Sequence, residues 1–189
     1  MPGRLTVLPG DDGSCCPANP PFNWEEDVVA IPYSSGTTGP PKGVQLTHKN
    51  LVSNMYQICD PQLDMVQPPD RDRREITVCI LPMYHVFAMN VTMTDVLWQG
   101  GKLVTLSSFN PLTFLSALIT YQPTFLHLAP PLLSFLTLHA GVKPHHLESL
   151  RYVLVGAAPV VPSMIRMFME KAPHVEFREG GVWCEGHLK

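Results

Sequence analysis

Residues 33–43 read YSSGTTGPPKG, a stretch of two serines, two threonines, three glycines, two prolines and a single lysine. Glycine lets a backbone come close to a ligand, and exposed N–H groups, hydroxyls and one ammonium are the donors a polyphosphate needs. Ser34, Ser35, Gly36, Thr37, Thr38, Gly39, Lys42 and Gly43 are therefore candidates for a phosphate-holding loop. It is not the common nucleotide loop G-x-x-x-x-G-K-[ST]: the spacing here is G-x-x-G-x-x-K-G, Gly43 stands where a magnesium-binding hydroxyl belongs, and Pro40-Pro41 resist the helical turn. An ordinary surface turn has the same composition, but it rarely gathers so many hydroxyls and a lysine between two apolar, strand-like runs.

Two further segments could carry chemistry. PMYHVF (82–87) sets Tyr84 and His85 among apolar neighbours, and GAAPV (156–160) is a turn without bulk over which a flat ring could lie. A satisfied histidine at a strand end is the alternative for His85; a tight strand-to-helix turn is the alternative for Gly156, Ala157, Ala158 and Pro159, and it is compatible with a binding role. The adjacent pair His145-His146 lacks the spaced partners of a metal site and reads as a solvated loop, so no metal ligands are assigned.

The elements around these segments follow from periodicity. DVVAIPY (27–33) and GVQLT (43–47) read as two strands joined through the hydroxyl loop in a hairpin-like arrangement. Thr47 caps a helix that carries Leu51, Met55 and Ile58 on one face. Strands are expected at 76–81, 102–106, 124–128, 151–155 and 175–177. Helices are expected at 86–99 (closed by Gly100-Gly101), from Asn110 with Pro111 in the first turn to Tyr121, over about 131–139, and over about 162–171. Short apolar strands alternating with helices mean an α/β fold with a mainly parallel sheet, which takes ligands at the carboxyl ends of its strands. The three candidate segments all follow such ends.

The 189 residues, 45% hydrophobic and 15% charged, suit a globular chain with a sizeable core. Thirteen Lys and Arg against sixteen Asp and Glu leave a net charge of -3, which gives no footprint for nucleic acid or an anionic membrane. Five cysteines, odd in number and without C-x-x-C spacing, point to a reduced compartment. Neither a leader's apolar region nor a membrane-spanning apolar run is visible, so an intracellular, cytoplasmic location is expected. Cys59 and Cys79 read as buried small hydrophobes; Met164 and Met169, beside Ile165 and Phe168, read as packing.

Residues 24–180 resemble the large domain of the AMP-forming acyl-CoA synthetases, the superfamily of 4-coumarate–CoA ligases, fatty acyl-CoA synthetases and luciferases. YSSGTTGPPKGVQLTHKNL is similar to that family's phosphate-loop signature, LPMYHVF to its histidine-containing segment and LVGAAPV to its adenine-side turn, in the family's order. The resemblance implies attack of a carboxylic acid on the α-phosphate of ATP with Mg2+, release of pyrophosphate, and transfer of the acyl group from AMP to the thiol of CoA. It implies that the loop from Ser34 to Lys42 holds the departing phosphates and that Gly156, Ala157, Ala158 and Pro159 flank adenine. His85 is implied to act at the mouth of the carboxylate pocket, with Tyr84 as a wall.

The family's segment resembling REGYGMTE is matched only through Arg178, Glu179 and Gly180; the chain continues as GVWCEGHLK. The expected division is therefore an irregular extension (1–23), a partial AMP-binding domain (24–180) and a divergent tail (181–189). On this reading the chain is a fragment of a carboxylate–CoA ligase, catalytically incomplete alone. The alternative is a non-catalytic truncated or spliced product acting by association through an uncovered sheet edge. A peroxisomal destination stays open for the intact parent. The apolar surroundings of His85 favour an aromatic or aliphatic acid.

Overall fold

The structure, a computed structural model, describes residues 21–34, 40–58 and 74–180. The first part is a broken antiparallel hairpin. β1 (Val28–Ala30) pairs with β4 (Leu46–Thr47), the register slips between Val28 and Ala30, and β2 (Tyr33–Ser34) pairs with β3 (Lys42–Gly43). Thr47 then caps α1 (His48–Ile58) as expected. Its Oγ1 accepts from the Asn50 N–H at 3.3 Å, while Asn50 Oδ1 accepts from the Thr47 N–H at 2.9 Å, a reciprocal pair that satisfies two otherwise orphaned donors. Met55 and Ile58 are buried.

The remainder is a parallel five-stranded sheet in the order β6-β5-β7-β8-β9. Its strands are β5 (Ile76–Cys79), β6 (Lys102–Thr105), β7 (Phe125–Leu128), β8 (Tyr152–Val155) and β9 (Glu176–Glu179). The central strands β7 and β8 are buried at every position, which is why their sequences are apolar without alternation. Between the strands lie α2 (Asp95–Trp98), α3 (Pro111–Tyr121), α4 (Pro130–Leu138) and α5 (Pro162–Lys171). Asn110 Oδ1 starts α3 by accepting from Leu112 N–H at 3.0 Å and Thr113 N–H at 3.1 Å, Pro111 occupies the first turn, and Gln122 ends the helix at φ 46°.

The chain steps from β5 to β6 in one direction, then back across β5 to β7 and on to β8 and β9. Crossovers between parallel strands are right-handed, so a reversal of direction moves the connection to the other face. The packing agrees. Val96 of α2 lies against Leu103, Phe125 and Tyr152 on one face, whereas Phe114 and Leu118 of α3, Leu133 and Leu136 of α4 and Phe168 of α5 cover Val78, Leu126, Leu128, Val153 and Val155 on the other. Met164 and Met169 pack against this larger core, and Cys79 is buried, as their sequence context implies. Each fully buried leucine or phenylalanine there contributes about 1.5–3 kcal/mol. The reversal falls between β5 and β7, and the crevice beyond their carboxyl ends is where an open α/β sheet accepts a ligand.

Two expectations change. The helix anticipated over 86–99 is wound as a π-helix from Phe87 to Thr94 before α2 begins. The Asp95 N–H reaches the Asn90 carbonyl, and Thr94 Oγ1 donates to the Met89 carbonyl at 2.8 Å, so a side-chain hydroxyl enters the ladder that α-winding would close. The loop at His145-His146 is solvated only at His145. His146 is buried in the 3-10 turn Pro144–His146, where its Nδ1 accepts from the Lys143 N–H at 3.0 Å.

Candidate functional site

Ser34 and Lys42 face each other across the β2–β3 ladder and close the neck of the hydroxyl loop, with Ser34 Oγ donating to the Lys42 carbonyl at 3.5 Å. Ser35, Gly36, Thr37, Thr38 and Gly39 lie outside the described residues. Lys42 is exposed. Gly43, opposite Tyr33, approaches so closely that a Cβ there would sit 2.9 Å from Ile31 Cγ2, so a larger residue would have to displace that exposed side chain. The hairpin is tied to the sheet through α1: the Asn54 side chain bonds that of Asn90 in the π-helix, and Tyr56 meets Trp98 edge to face at 6.2 Å.

Beyond β5 the chain turns at Pro82, whose carbonyl accepts from the His85 N–H at 3.0 Å. His85 is half-buried, and its Nδ1 accepts from the Phe87 N–H at 3.2 Å. That bond fixes the neutral ring as the Nε2–H tautomer and holds the imidazole at the head of the π-helix, with the second nitrogen left for a ligand. Tyr84 is 84% exposed; the ring that packs inward is Phe87.

Phe87 connects His85 to the turn after β8. A Cβ on Gly156 would lie 3.0 Å from Phe87 Cζ and 3.2 Å from the Gly180 carbonyl, so the turn is clasped between the π-helix and the end of β9. Gly156 N–H donates to the Leu128 carbonyl at 3.0 Å, Gly180 N–H to the Val155 carbonyl at 2.9 Å, and Val160 N–H to Glu179 Oε1 at 3.0 Å. Ala157, Ala158 and Pro159 are exposed at its tip, and Ala157 has φ 72°. A left-handed alanine costs about 1 kcal/mol or more, and strain of this kind is retained where surrounding contacts over-determine the backbone.

Under Phe87 lies His127 of β7, 2% exposed, with the two rings stacked at 5.9 Å and 22°. Its Nδ1 is 3.0 Å from Thr92 Oγ1, and Phe125 leans on its other side at 5.0 Å. Burial pushes its pKa down to about 3, so the ring is neutral. Phe87 and Thr92 meet one imidazole because π-winding places them a turn apart on one face. Residue types had pointed to His85, Gly156 and their neighbours; Phe87, Thr92 and His127 add themselves only in three dimensions, although a histidine inside the apolar run FLHL was a visible signal.

The structure thus brings His85, Phe87, Gly156 and the 157–159 tip to one end of the sheet, while among the described residues no hydrogen bond joins Ser34 or Lys42 to them. Among those residues no group of three or more His, Cys, Asp or Glu side chains could hold a metal ion, and no helix is long and apolar enough to cross a membrane.

The sequence profile described as "AMP-binding enzyme" matches residues 6–181. The chain is 34% identical over 180 residues to a 4-coumarate--CoA ligase of Pinus taeda, covering 94% of this chain and 32% of that protein. It is 37% identical over 156 residues to 4-coumarate--CoA ligase-like 4 of Oryza sativa subsp. japonica, covering 82% and 27%. Among solved structures, a long-chain-fatty-acid-CoA ligase (FadD1) of Archaeoglobus fulgidus superposes with a TM-score of 0.68 at 31% identity, over 85% of this chain and 32% of that one. ATP-bound MatB of Rhodopseudomonas palustris superposes with 0.68 at 28% identity, over 82% and 29%. The chain therefore spans about a third of the length of the relatives it matches.

Proposed function

Since the chain belongs to the family of AMP-binding enzymes, we propose that it forms the phosphate-loop and acyl-pocket part of an ATP-dependent carboxylate–CoA ligase. The observation that carries this reading is the joining of His85 and the Gly156 turn through Phe87 at the end of the sheet where its connections change face. In this proposal ATP arrives with Mg2+ and its adenine lies along Gly156, Ala157, Ala158 and Pro159. Ser34, Ser35, Gly36, Thr37, Thr38, Gly39 and Gly43 supply hydroxyl and backbone donors to the β- and γ-phosphates, and the Lys42 ammonium faces the charge that grows on pyrophosphate as it leaves.

The acid's carboxylate attacks the α-phosphorus; the bond from phosphorus to the bridging oxygen breaks, and acyl-AMP and pyrophosphate result. His85, presenting Nε2–H, donates a hydrogen bond toward the carboxylate and later borders the path of the CoA thiol, whose sulfur displaces AMP. Phe87 floors the pocket and favours an aromatic or aliphatic acid.

Adenylate formation is reversible, which gives the test. The whole enzyme is expected to exchange labelled pyrophosphate into ATP only when a carboxylic acid is present, and to release AMP when CoA is added. Acid-independent exchange, or ADP as the product, would overturn the ligase reading.

A further inference from the structure

The residues proposed for the phosphates and for the acid lie in separate parts of the fold, Lys42 on the hairpin and His85 at the head of the π-helix. A joint between the two parts exists elsewhere. The side-chain amide of Asn90, midway along the π-helix, donates to Asn54 Oδ1 of α1.

On the hairpin side this joint is braced back toward the phosphate loop. Thr47 and Asn50 fix the start of α1 to β4, Lys49 N–H donates to the Trp24 carbonyl at 2.9 Å, and Val44 N–H donates to the Pro32 carbonyl at 2.8 Å. Asn54 is oriented by its Nδ2, which donates to Gln57 Oε1 at 3.2 Å, so its Oδ1 is the atom that faces Asn90. On the sheet side the Asn90 carbonyl accepts from the Asp95 N–H and closes the wide turn of the π-winding. The His85 carbonyl accepts from the Met89 N–H, next to Asn90, at 2.9 Å. His85 and Phe87 therefore sit within about a turn and a half of the residue that α1 holds.

The joint is stiff for two reasons. Asn90 is 4% exposed and, among the described residues, its Oδ1 has no hydrogen-bond partner, so losing Asn54 leaves a buried amide with nothing to replace the bond. A π-winding is also rarer than the α-helix, so side-chain contacts matter in holding it. The position of α1 and the placement of the π-helix are thereby tied together.

We propose that Asn54 is a positioning residue that couples the phosphate loop to the acid pocket. A phosphate group held at the hairpin steadies α1, Asn54 holds Asn90, and the π-helix then presents His85 Nε2–H and Phe87 in one arrangement. Such coupling is reciprocal: whichever ligand binds first orders the joint, and the other then binds with less left to order. This inference rests on the phosphate and acid sites proposed above and adds to them the route by which one informs the other.

Inorganic pyrophosphate with Mg2+ is the probe, because it carries the groups the loop is proposed to hold and lacks the adenosine and the acid that could touch His85 directly. It is titrated into the full chain carrying nitrogen-15, and NMR follows the Gly43 amide, the Asn90 side-chain amide and the His85 ring nitrogens. All three are expected to move with one midpoint. In Asn54→Leu the Gly43 midpoint should stay within about twofold while the His85 shift is lost. Asn54→Asp, which keeps an acceptor oxygen, should retain the shift. Asn54→Ser, too short to reach Asn90, should lose it as Asn54→Leu does, so the result does not hang on the folding of one variant. The inference is overturned, with the phosphate loop left standing, if Gly43 responds while His85 stays still in the unaltered chain. It is equally overturned if His85 moves as far in Asn54→Leu or Asn54→Ser as in the unaltered chain. If neither Gly43 nor His85 responds, the loop reading itself is wrong and the inference falls with it.

Discussion

Lys42 and His85 are separated in the structure by place, and the proposed function gives them different roles. Lys42 is an exposed cation at the neck of the hydroxyl loop, whereas His85 is half-buried and locked by the Phe87 N–H. In the whole enzyme Lys42→Ala is expected to slow adenylation by roughly 10²-fold and thiolysis much less, because the lost charge faces the leaving group of the first half-reaction. His85→Ala should depress carboxylate or thioester steps with ATP affinity nearly unchanged. Single-turnover measurement of the two half-reactions separates these outcomes, and equal slowing of both by Lys42→Ala would remove Lys42 from the phosphate site. His127 adds a pH dependence of known sign. Its folded pKa of about 3 lies below the unfolded 6.5, so the unfolded chain binds the extra proton; its contribution is full above about 6.5 and is lost as the pH falls toward 3. The groups packed on the ring, Phe87, Thr92 and Phe125, carry no charge to offset this. Urea unfolding should therefore show a loss of about 2 kcal/mol between pH 7 and pH 5, absent in His127→Leu. His85 was legible because its neighbours spell a motif; His127 was visible only as a histidine inside the apolar run FLHL, since its contacts with Phe87 and Thr92 are set by the fold.

At the scale of elements, most boundaries were legible because local chemistry sets them. Asn110 and Pro111 open α3, Pro130 and Pro162 open α4 and α5, and Gly100 at φ 72° helps end α2. The winding of residues 87–94 was not, because it depends on the reach of the Thr94 hydroxyl to the Met89 carbonyl rather than on hydrophobic spacing, which tolerates either winding. The turn after β8 carries two opposite demands one residue apart. At Gly156 a Cβ would press on Phe87 at 3.0 Å, while Ala157 has a Cβ in a backbone region that disfavours one. Ala157→Gly should raise stability by up to about 1 kcal/mol, read as a higher midpoint in thermal unfolding. Gly156→Val should instead push Phe87 from its place and change the preference among acids more than the affinity for ATP. An unaltered acid profile in a folded Gly156→Val protein would separate Phe87 from the pocket.

In the molecule as a whole, the alternating pattern of strands and helices made the parallel sheet legible, but not its order, because a sequence carries no mark of where the crossovers reverse. The reversal has a consequence for motion. Strands β7, β8 and β9 are successive neighbours built by consecutive crossovers, and β5 and β6 form their own unit; the line between β5 and β7 joins the two. Along that line the paired register is Thr77 with Phe125, and threonine hydroxyls supplement the ladder: Ile76 N–H donates to Thr124 Oγ1 at 3.0 Å and Thr77 Oγ1 to the Phe125 carbonyl at 3.0 Å. Glu75, bonded to Thr124 and paired with Arg151, ties the far end. One register pair joins β5 to β7 where four join each of the other neighbouring strands, so this line has the shortest pairing in the sheet and its side-chain ties lie at the amino end. Amide deuterium uptake should register it, with the β5 and β7 amides at the crevice end exchanging before the amides of β8 and slowing when an acid and MgATP are both present. Uniform protection across the five strands would mean that the sheet opens only as a unit. On the proposed function, a bound acid at the crevice would act as a clasp across this line, holding two halves of one sheet together.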